Sequence, residues 1–141
     1  KNFPAQLQLK SLQELRFGQN NVEELSPTFL SATTKSLTIL EGNNNNLKSI
    51  GNLDTFEKLT VLNLSSNNIV QTPSIPPCLV RLLLDSNRIE SLKGLLIPDT
   101  TASFNITDML LSRNQLATVD SEILDHLLEL RILDLAENNI N

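Results

Sequence analysis

Apolar residues and asparagine recur along this chain in a pattern of eleven positions that returns six times. Apolar side chains, with one glycine among them, stand at the first, fourth, sixth and eleventh positions, and asparagine stands at the ninth. Alternation of apolar and variable residues around the fourth to sixth positions predicts a short β-strand, because successive strand side chains point to opposite faces. The copies begin at Leu12, Leu37, Leu59, Leu79, Ile106 and Leu130.

The asparagine of each copy follows the predicted strand, at the point where the chain turns out of the sheet. Such a turn buries backbone donors and acceptors, which a small amide side chain can satisfy. Stacked copies would align these amides, so we predict a structural asparagine ladder. Its members are Asn20, Asn45, Asn67, Asn87, Asn114 and Asn138.

The spacing of the asparagines identifies a family resemblance. Successive members are 25, 22, 20, 27 and 24 residues apart, within the range of about 20 to 29 residues that is typical of leucine-rich repeats. From Leu12 to Ile140 the sequence therefore resembles the leucine-rich-repeat family. The resemblance implies an α/β fold, a right-handed superhelical solenoid with a parallel β-sheet on its concave face and short helices and irregular returns on its convex face.

The pattern divides the chain into repeats of one domain. We expect a single leucine-rich-repeat domain over residues 1–141. Its repeats are expected at 12–36, 37–58, 59–78, 79–105 and 106–129, with an incomplete one at 130–141. Because each coil of a solenoid buries its apolar residues against the next, coils without a polar cap expose them, and self-association through uncapped ends is expected.

The segments between the strands predict different returns. Ser26, followed by proline, predicts the start of a helix over residues 28–33. Three prolines within residues 72–77 predict an extended return. Asp120 precedes apolar residues three and four apart and predicts the clearest helix, through Leu128. Residues 95–105 predict an extra loop, which is a second place for binding.

Composition and charge narrow the classes of partner. The formal net charge is −5 and the basic residues are dispersed, so the chain lacks the basic stripe that neutralises phosphates, and nucleic acid is excluded. No apolar run in the sequence reaches the length of about 18 residues that a membrane span requires. Neither nucleic acid nor a membrane is therefore expected as a partner.

Residues suited to catalysis are scarce. His126 is the only histidine and Cys78 the only cysteine, and Cys78 has no histidine or basic residue beside it in sequence that would activate its thiol. The four glycines are scattered singly, so no phosphate-binding loop is present. We therefore predict a protein that is not an enzyme and has no catalytic residue, cofactor or metal.

The single cysteine also bears on the compartment. Cys78 excludes an intrachain disulfide and the cysteine-rich caps of extracellular relatives, which favours a reducing, cytoplasmic location. Two N-glycosylation sequons, Asn63-Leu64-Ser65 and Asn105-Ile106-Thr107, point the other way. A motif of three residues often arises by chance in a chain rich in asparagine, serine and threonine. The prediction therefore remains cytoplasmic.

The variable residues beside the core positions of each strand predict a binding surface. In this fold they face solvent on the concave side, where Ile39, Val61, Leu83 and Leu110 form an oblique apolar stripe with charged residues at its rim. An apolar centre with a charged rim is typical of a protein interface. The predicted protein-binding residues are Glu14, Arg16, Ile39, Glu41, Val61, Asn63, Arg81, Leu83, Asp85, Asp108, Leu110, Ile132 and Asp134.

Two repeats resemble particular subtypes of the family. Residues 75–87 resemble the short, proline-marked repeat of bacterial effectors, and residues 50–64 are similar to the repeat of intracellular phosphatase regulators. The resemblance implies a non-catalytic, intracellular protein-recognition module, as part of a bacterial effector that enters a host cell. Two alternatives stay open. One is the substrate-recognition part of a larger enzyme such as an effector ubiquitin ligase, and the other is the ectodomain of a secreted or cell-surface receptor.

Overall fold

The computed structural model describes residues 8–26, 28–95 and 104–141. Six strands of three residues form one parallel sheet in which neighbouring strands are also consecutive in the chain. This succession of parallel strands, one for each predicted repeat, confirms the predicted solenoid. The strands are β1 (Glu14–Arg16), β2 (Ile39–Glu41), β3 (Val61–Asn63), β4 (Arg81–Leu83), β5 (Asp108–Leu110) and β6 (Ile132–Asp134).

The strands are paired so that the fourth position of every repeat falls in one column. The column consists of Leu15, Leu40, Leu62, Leu82, Met109 and Leu133. Its four inner members are fully buried, which shows that this side of the sheet faces the core. The residues on either side of each member therefore face solvent, and we call that side of the sheet the concave face.

The core between the coils is mainly aliphatic. The first apolar position of the inner repeats, exemplified by Leu59 and Leu79, is completely buried. Gly42 stands at the sixth position of its repeat, where the next repeat has Leu64. A Cβ atom on Gly42 would lie 2.4 Å from Cζ of Phe17 in the preceding coil. The Phe17 ring thus occupies space that a side chain at position 42 would otherwise fill.

The first return contains less helix than predicted. A 3₁₀ helix covers only Ser31–Thr33, with Leu30 in the N-cap position, and residues 28–30 form a turn. The Thr28 N–H donates to Ser26 Oγ at 3.4 Å, so Ser26 closes a local turn rather than capping the helix. Pro27 lies outside the described residues. A second 3₁₀ helix spans Lys93–Leu95.

The predicted helix of the fifth return was too long. The α-helix α1 covers Ser121–Leu124, and Asp120 occupies its N-cap position without a capping hydrogen bond from its side chain. The N–H of His126 donates to the oxygen of Ile123, three residues back, which tightens the chain and ends the α-helix. The predicted extension through Leu128 is therefore wrong.

The structure describes the third return, at residues 72–77, in full but describes the fourth, at residues 95–105, only in part. Residues 72–77 form no helix, and Ile75 and Pro76 are buried against the stack. This agrees with the extended return predicted from their prolines. Most of the extra loop predicted at residues 95–105 lies outside the described residues, since positions 96–103 are not among them.

The sixth coil exposes apolar side chains at positions that are buried in the inner coils. Leu133 and Ile140 are 37% and 44% exposed, whereas their counterparts Met109 and Leu116 are fully buried. Leu128 on the fifth return is also exposed, at 74%. Self-association through this apolar surface stays a prediction.

Candidate protein-binding face and asparagine ladder

From β2 onwards, the asparagine after each strand connects two neighbouring coils by hydrogen bonds. Asn67 Oδ1 accepts a bond from the N–H of Leu47 in the preceding coil at 3.0 Å. Its Nδ2 donates to the carbonyl oxygens of Gly42 and Leu64, at 2.9 and 3.0 Å. The same bonds are formed by Asn45, Asn87, Asn114 and Asn138.

The ends of the ladder differ from its middle. Asn20 is exposed and its Nδ2 donates to the carbonyls of Phe17 and Gly18, both in its own coil. Asn138 is half-buried, whereas the four inner members are buried. Since a buried amide is shielded from competing water, the inner amides contribute most to holding the coils together.

The residue before each ladder asparagine adopts a left-handed backbone conformation, with φ between 54° and 57°. Residues other than glycine rarely adopt this conformation. In the first five of these residues it is held by the next coil, as where the Ser66 N–H donates to the Asp85 oxygen at 2.9 Å. The amino-acid sequence does not predict this feature, because none of the six residues is glycine. They are Gln19, Asn44, Ser66, Ser86, Arg113 and Glu137.

The structure aligns the predicted interface residues in columns across the concave face. One column contains Glu14, Ile39, Val61, Arg81, Asp108 and Ile132. The next contains Arg16, Glu41, Asn63, Leu83, Leu110 and Asp134. Asp85 lies two residues beyond Leu83, just after β4 ends. The predicted residues are therefore brought together on one side of one sheet.

The apolar stripe, which consists of Ile39, Val61, Leu83 and Leu110, crosses the two columns. Ile39 is the register partner of Val61, and Leu83 is the register partner of Leu110. Val61 and Leu83 are diagonal neighbours on adjacent strands, a separation of about 7 to 8 Å that large side chains can bridge. All four side chains are half-buried, so each retains apolar surface that a partner could cover.

Both arginines on this face form ion pairs with carboxylates of the same face. Arg16 donates to Glu14 at 3.1 Å and to Glu41. These hydrogen bonds, the one to Glu41 foremost, raise the pKa of the Arg16 guanidinium. Arg81 Nε donates to Asp108 Oδ2 at 2.9 Å. Exposed pairs of this kind add little stability, but they partly neutralise both cations within the face.

Two other carboxylates of the face have only neutral partners. Asp85 Oδ1 accepts a hydrogen bond from Ser65 Oγ at 2.7 Å. Asp134 Oδ1 accepts one from the N–H of Ala136 at 3.0 Å. Neither carboxylate is in an ion pair within the part of the chain that the structure describes. Their negative charges therefore face solvent without a paired cation.

The residues considered for catalysis lie away from this face. Cys78 Sγ donates toward the carbonyl oxygens of Leu59 and Phe56, at 3.3 and 3.4 Å. Burial raises the pKa of the Cys78 thiol, which keeps it protonated and weakly nucleophilic. His126 is half-buried on the fifth return. Over residues 8–26, 28–95 and 104–141, no cluster of three histidine, cysteine or acidic side chains could hold a metal ion.

Comparisons with known proteins agree with this architecture. Residues 58–82 match the family model described as Leucine Rich Repeat. The chain is 32% identical to decorin of Oryctolagus cuniculus over 122 residues, which cover 79% of this chain and 31% of decorin. It is 30% identical to Toll-like receptor 2 type-2 of Gallus gallus over an alignment of 147 positions, which covers 92% of this chain and 19% of the receptor.

The matched region spans less than a third of the length of either relative. None of the helices in the described ranges is long and apolar enough to cross a bilayer. The repeated strands, the asparagine ladder and the sequence matches all indicate the same family. The chain is a leucine-rich-repeat protein.

Proposed function

We propose that this chain is a non-catalytic recognition module that binds another protein through the apolar stripe of its concave face. The observation that carries the proposal is the contiguity of four half-buried apolar side chains on a sheet face whose other strand residues, except Ile132, are polar. Covering them with a partner removes apolar surface from water without disturbing the core. Membership of the leucine-rich-repeat family supports the same conclusion.

The size of the face indicates how a partner must sit. Six strands about 4.8 Å apart span roughly 24 Å, and the three residues of each strand add about 10 Å in the other direction. This area is smaller than the roughly 800 Å² that one partner buries in a standard interface. A stable partner would therefore also contact the turns beyond the strands, where Ser65 and Asp85 lie.

A pair of substitutions in the stripe tests the proposal. Leu83→Glu with Leu110→Glu is expected to lower the capture of specific partners from parent-cell lysate by at least about tenfold, because burying unpaired charge in an interface is costly. Capture is measured by quantitative mass spectrometry on the immobilised chain. Circular dichroism should show an unchanged fold, since neither side chain belongs to the core.

Control variants separate loss of binding from loss of structure. Leu83 and Leu110 are register partners, so two glutamates there repel each other, and each single variant is measured as well. Leu83→Met keeps an apolar side chain, and Lys58→Ala changes an exposed residue on a return. Both controls should bind as the parent does. Equal capture by the folded double variant and the parent would show that the stripe is not the binding site.

Of the cellular settings that the sequence left open, the comparisons favour the ectodomain of a secreted or cell-surface receptor. One relative is a receptor by name, and its match covers 92% of this chain. As a second candidate function, we infer that the module belongs to the ectodomain of a receptor. A bacterial effector and a cytoplasmic location stay predictions that neither relative supports. No described contact favours the substrate-recognition part of an enzyme.

The two sequons provide a test of the compartment. Asn105 is exposed, whereas Asn63 is half-buried and its Oδ1 accepts a hydrogen bond from the N–H of Ser65. A glycan on Asn63 would stand between Val61 and Leu83 and cover the apolar stripe. An ectodomain is therefore expected to carry an N-linked glycan at Asn105 and none at Asn63.

Mass spectrometry after peptide-N-glycosidase treatment in heavy-oxygen water measures this occupancy, because the enzyme converts a glycosylated asparagine to labelled aspartate. The full-length protein is purified from its own cells. Asn105→Gln should abolish the labelling, and Asn63→Gln is the matched control that should not change it. Absence of a glycan from both sites would support the cytoplasmic prediction instead.

A further inference from the structure

We infer that the partner of the concave face presents lysine or arginine side chains around an apolar centre. The inference rests on the proposed function, because it concerns the chemistry of the protein that the same apolar stripe binds. It follows from the charges of the predicted interface residues, from their positions relative to the stripe, and from their ion pairs.

The concave face carries most of the net negative charge of the chain. Its interface residues include five carboxylates and two guanidinium groups, which leaves three of the chain's five net negative charges on this one surface. The guanidinium groups belong to Arg16 and Arg81. The carboxylates belong to Glu14, Glu41, Asp85, Asp108 and Asp134.

These carboxylates are interleaved with the apolar residues rather than grouped apart from them. Residues two apart on a strand share a face, so Glu41 adjoins Ile39 on β2 and Asp108 adjoins Leu110 on β5. Asp85 likewise follows Leu83 at the end of β4. A partner that covers the stripe must therefore also come close to carboxylates.

The face itself cannot compensate these charges. Arg16 is already bound to Glu14 and Glu41, and Arg81 to Asp108. Asp85 and Asp134 have neutral hydrogen-bond partners and no ion pair among the described residues. Desolvating a carboxylate without a cation is costly, so an acidic or uncharged partner is disfavoured and a basic one is favoured.

Selection from a random peptide library tests the inference without a known partner. A phage library of random 12-residue peptides is selected on the immobilised protein in about 50 mM salt. Retained peptides are expected to contain apolar residues together with at least about threefold more lysine and arginine than aspartate and glutamate, after correction for the unselected library. Affinities of synthetic copies should fall at least about fivefold in 500 mM salt, because salt screens exposed charge pairs.

Neutralising the unpaired carboxylates should remove this preference. Asp85→Asn with Asp134→Asn is expected to weaken the synthetic peptides at least about fivefold in 50 mM salt. The fold is expected to tolerate both changes, because other repeats have asparagine at these positions. Asn43 is the counterpart of Asp85. Asn63 is the counterpart of Asp134, and its Oδ1 accepts from the N–H of Ser65 as Asp134 Oδ1 accepts from the N–H of Ala136. The matched control is Glu57→Gln with Glu90→Gln, which removes two exposed carboxylates from the returns and should leave affinity unchanged.

A neutral change in the stripe separates the two hypotheses. Leu83→Ser with Leu110→Ser removes apolar surface without altering charge. If the peptides bind this variant as tightly as the parent, the proposed function is wrong. If binding requires Leu83 and Leu110 but the peptides show no excess of basic residues, only the inference is overturned. The inference is also overturned if the selection retains no basic peptide whose binding requires Leu83 and Leu110.

Discussion

Replacing Asn67 with leucine is expected to lower the free energy of unfolding by about 3 kcal/mol, near the upper limit for a stranded buried polar group. The Leu47 N–H donates to Asn67 Oδ1 at 3.0 Å, and the substitution leaves this buried donor without an acceptor. The branched leucine side chain must also fit a space shaped for a planar amide, which adds a packing cost. Urea denaturation followed by circular dichroism measures the change.

Most of this loss in the free energy of unfolding is expected to come from the unpaired N–H of Leu47. The three carbonyls bonded to Asn67 each keep another partner. Asn45 Nδ2 donates to Gly42 at 3.1 Å, Asn87 Nδ2 to Leu64 at 3.0 Å, and the Asn44 N–H to Ser65 at 2.9 Å. Asn46→Leu is the matched control, since Asn46 is exposed beside the ladder. A loss below about 0.5 kcal/mol for Asn67→Leu, the size of an ordinary surface effect, would show that the ladder does not hold the coils together.

The strands and their register were predictable because they depend on positions that every repeat shares. An apolar residue at the fourth position must be buried in each coil, so Leu40, Leu62 and Leu82 align, and the alternation of side chains fixes which neighbours face solvent. The columns of the concave face could therefore be read from the sequence. Whether that face binds a protein is not encoded in the repeat and stays a prediction.

The returns were less predictable, because each has its own length and must rejoin a sheet whose spacing is fixed. The fifth return has helix-forming residues through Leu128, yet α1 ends at Leu124. Local propensity yields to the need to place Leu130 at the start of the next repeat. Nor did the sequence reveal the positive φ of residues such as Arg113, since a long polar side chain gives no local signal for that conformation.

The ion pairs of the concave face could not be predicted from the sequence either. Arg16 and Glu41 are 25 residues apart in the chain, and they meet only because β1 and β2 pair in register. The repeat pattern predicts that Glu41, Arg81, Asp85 and Asp108 belong to the same binding face as the stripe. It does not distinguish carboxylates that are paired from those, such as Asp85, that are not. That difference is the basis for expecting a basic partner.

Restoring the repeat pattern at Gly42 is expected to destabilise the protein. Leu64 and Leu84 occupy the equivalent position in later repeats, so Gly42→Leu should be favourable if each repeat were independent. In the structure, Phe17 lies 2.4 Å from the place of the first added carbon. We expect overpacking to lower the free energy of unfolding by about 3 kcal/mol.

A second substitution should rescue this loss. Phe17→Leu alone leaves the space above Gly42 partly empty and is expected to cost about 1 to 2 kcal/mol, because it creates a cavity. In the double variant two leucines share the space between the coils, so the measured loss should be smaller than the sum of the single losses by at least about 2 kcal/mol. Urea denaturation of the four proteins measures this coupling. Additive losses would mean that Phe17 and Gly42 were not matched in size, and that the cost of Gly42→Leu does not depend on the side chain at position 17.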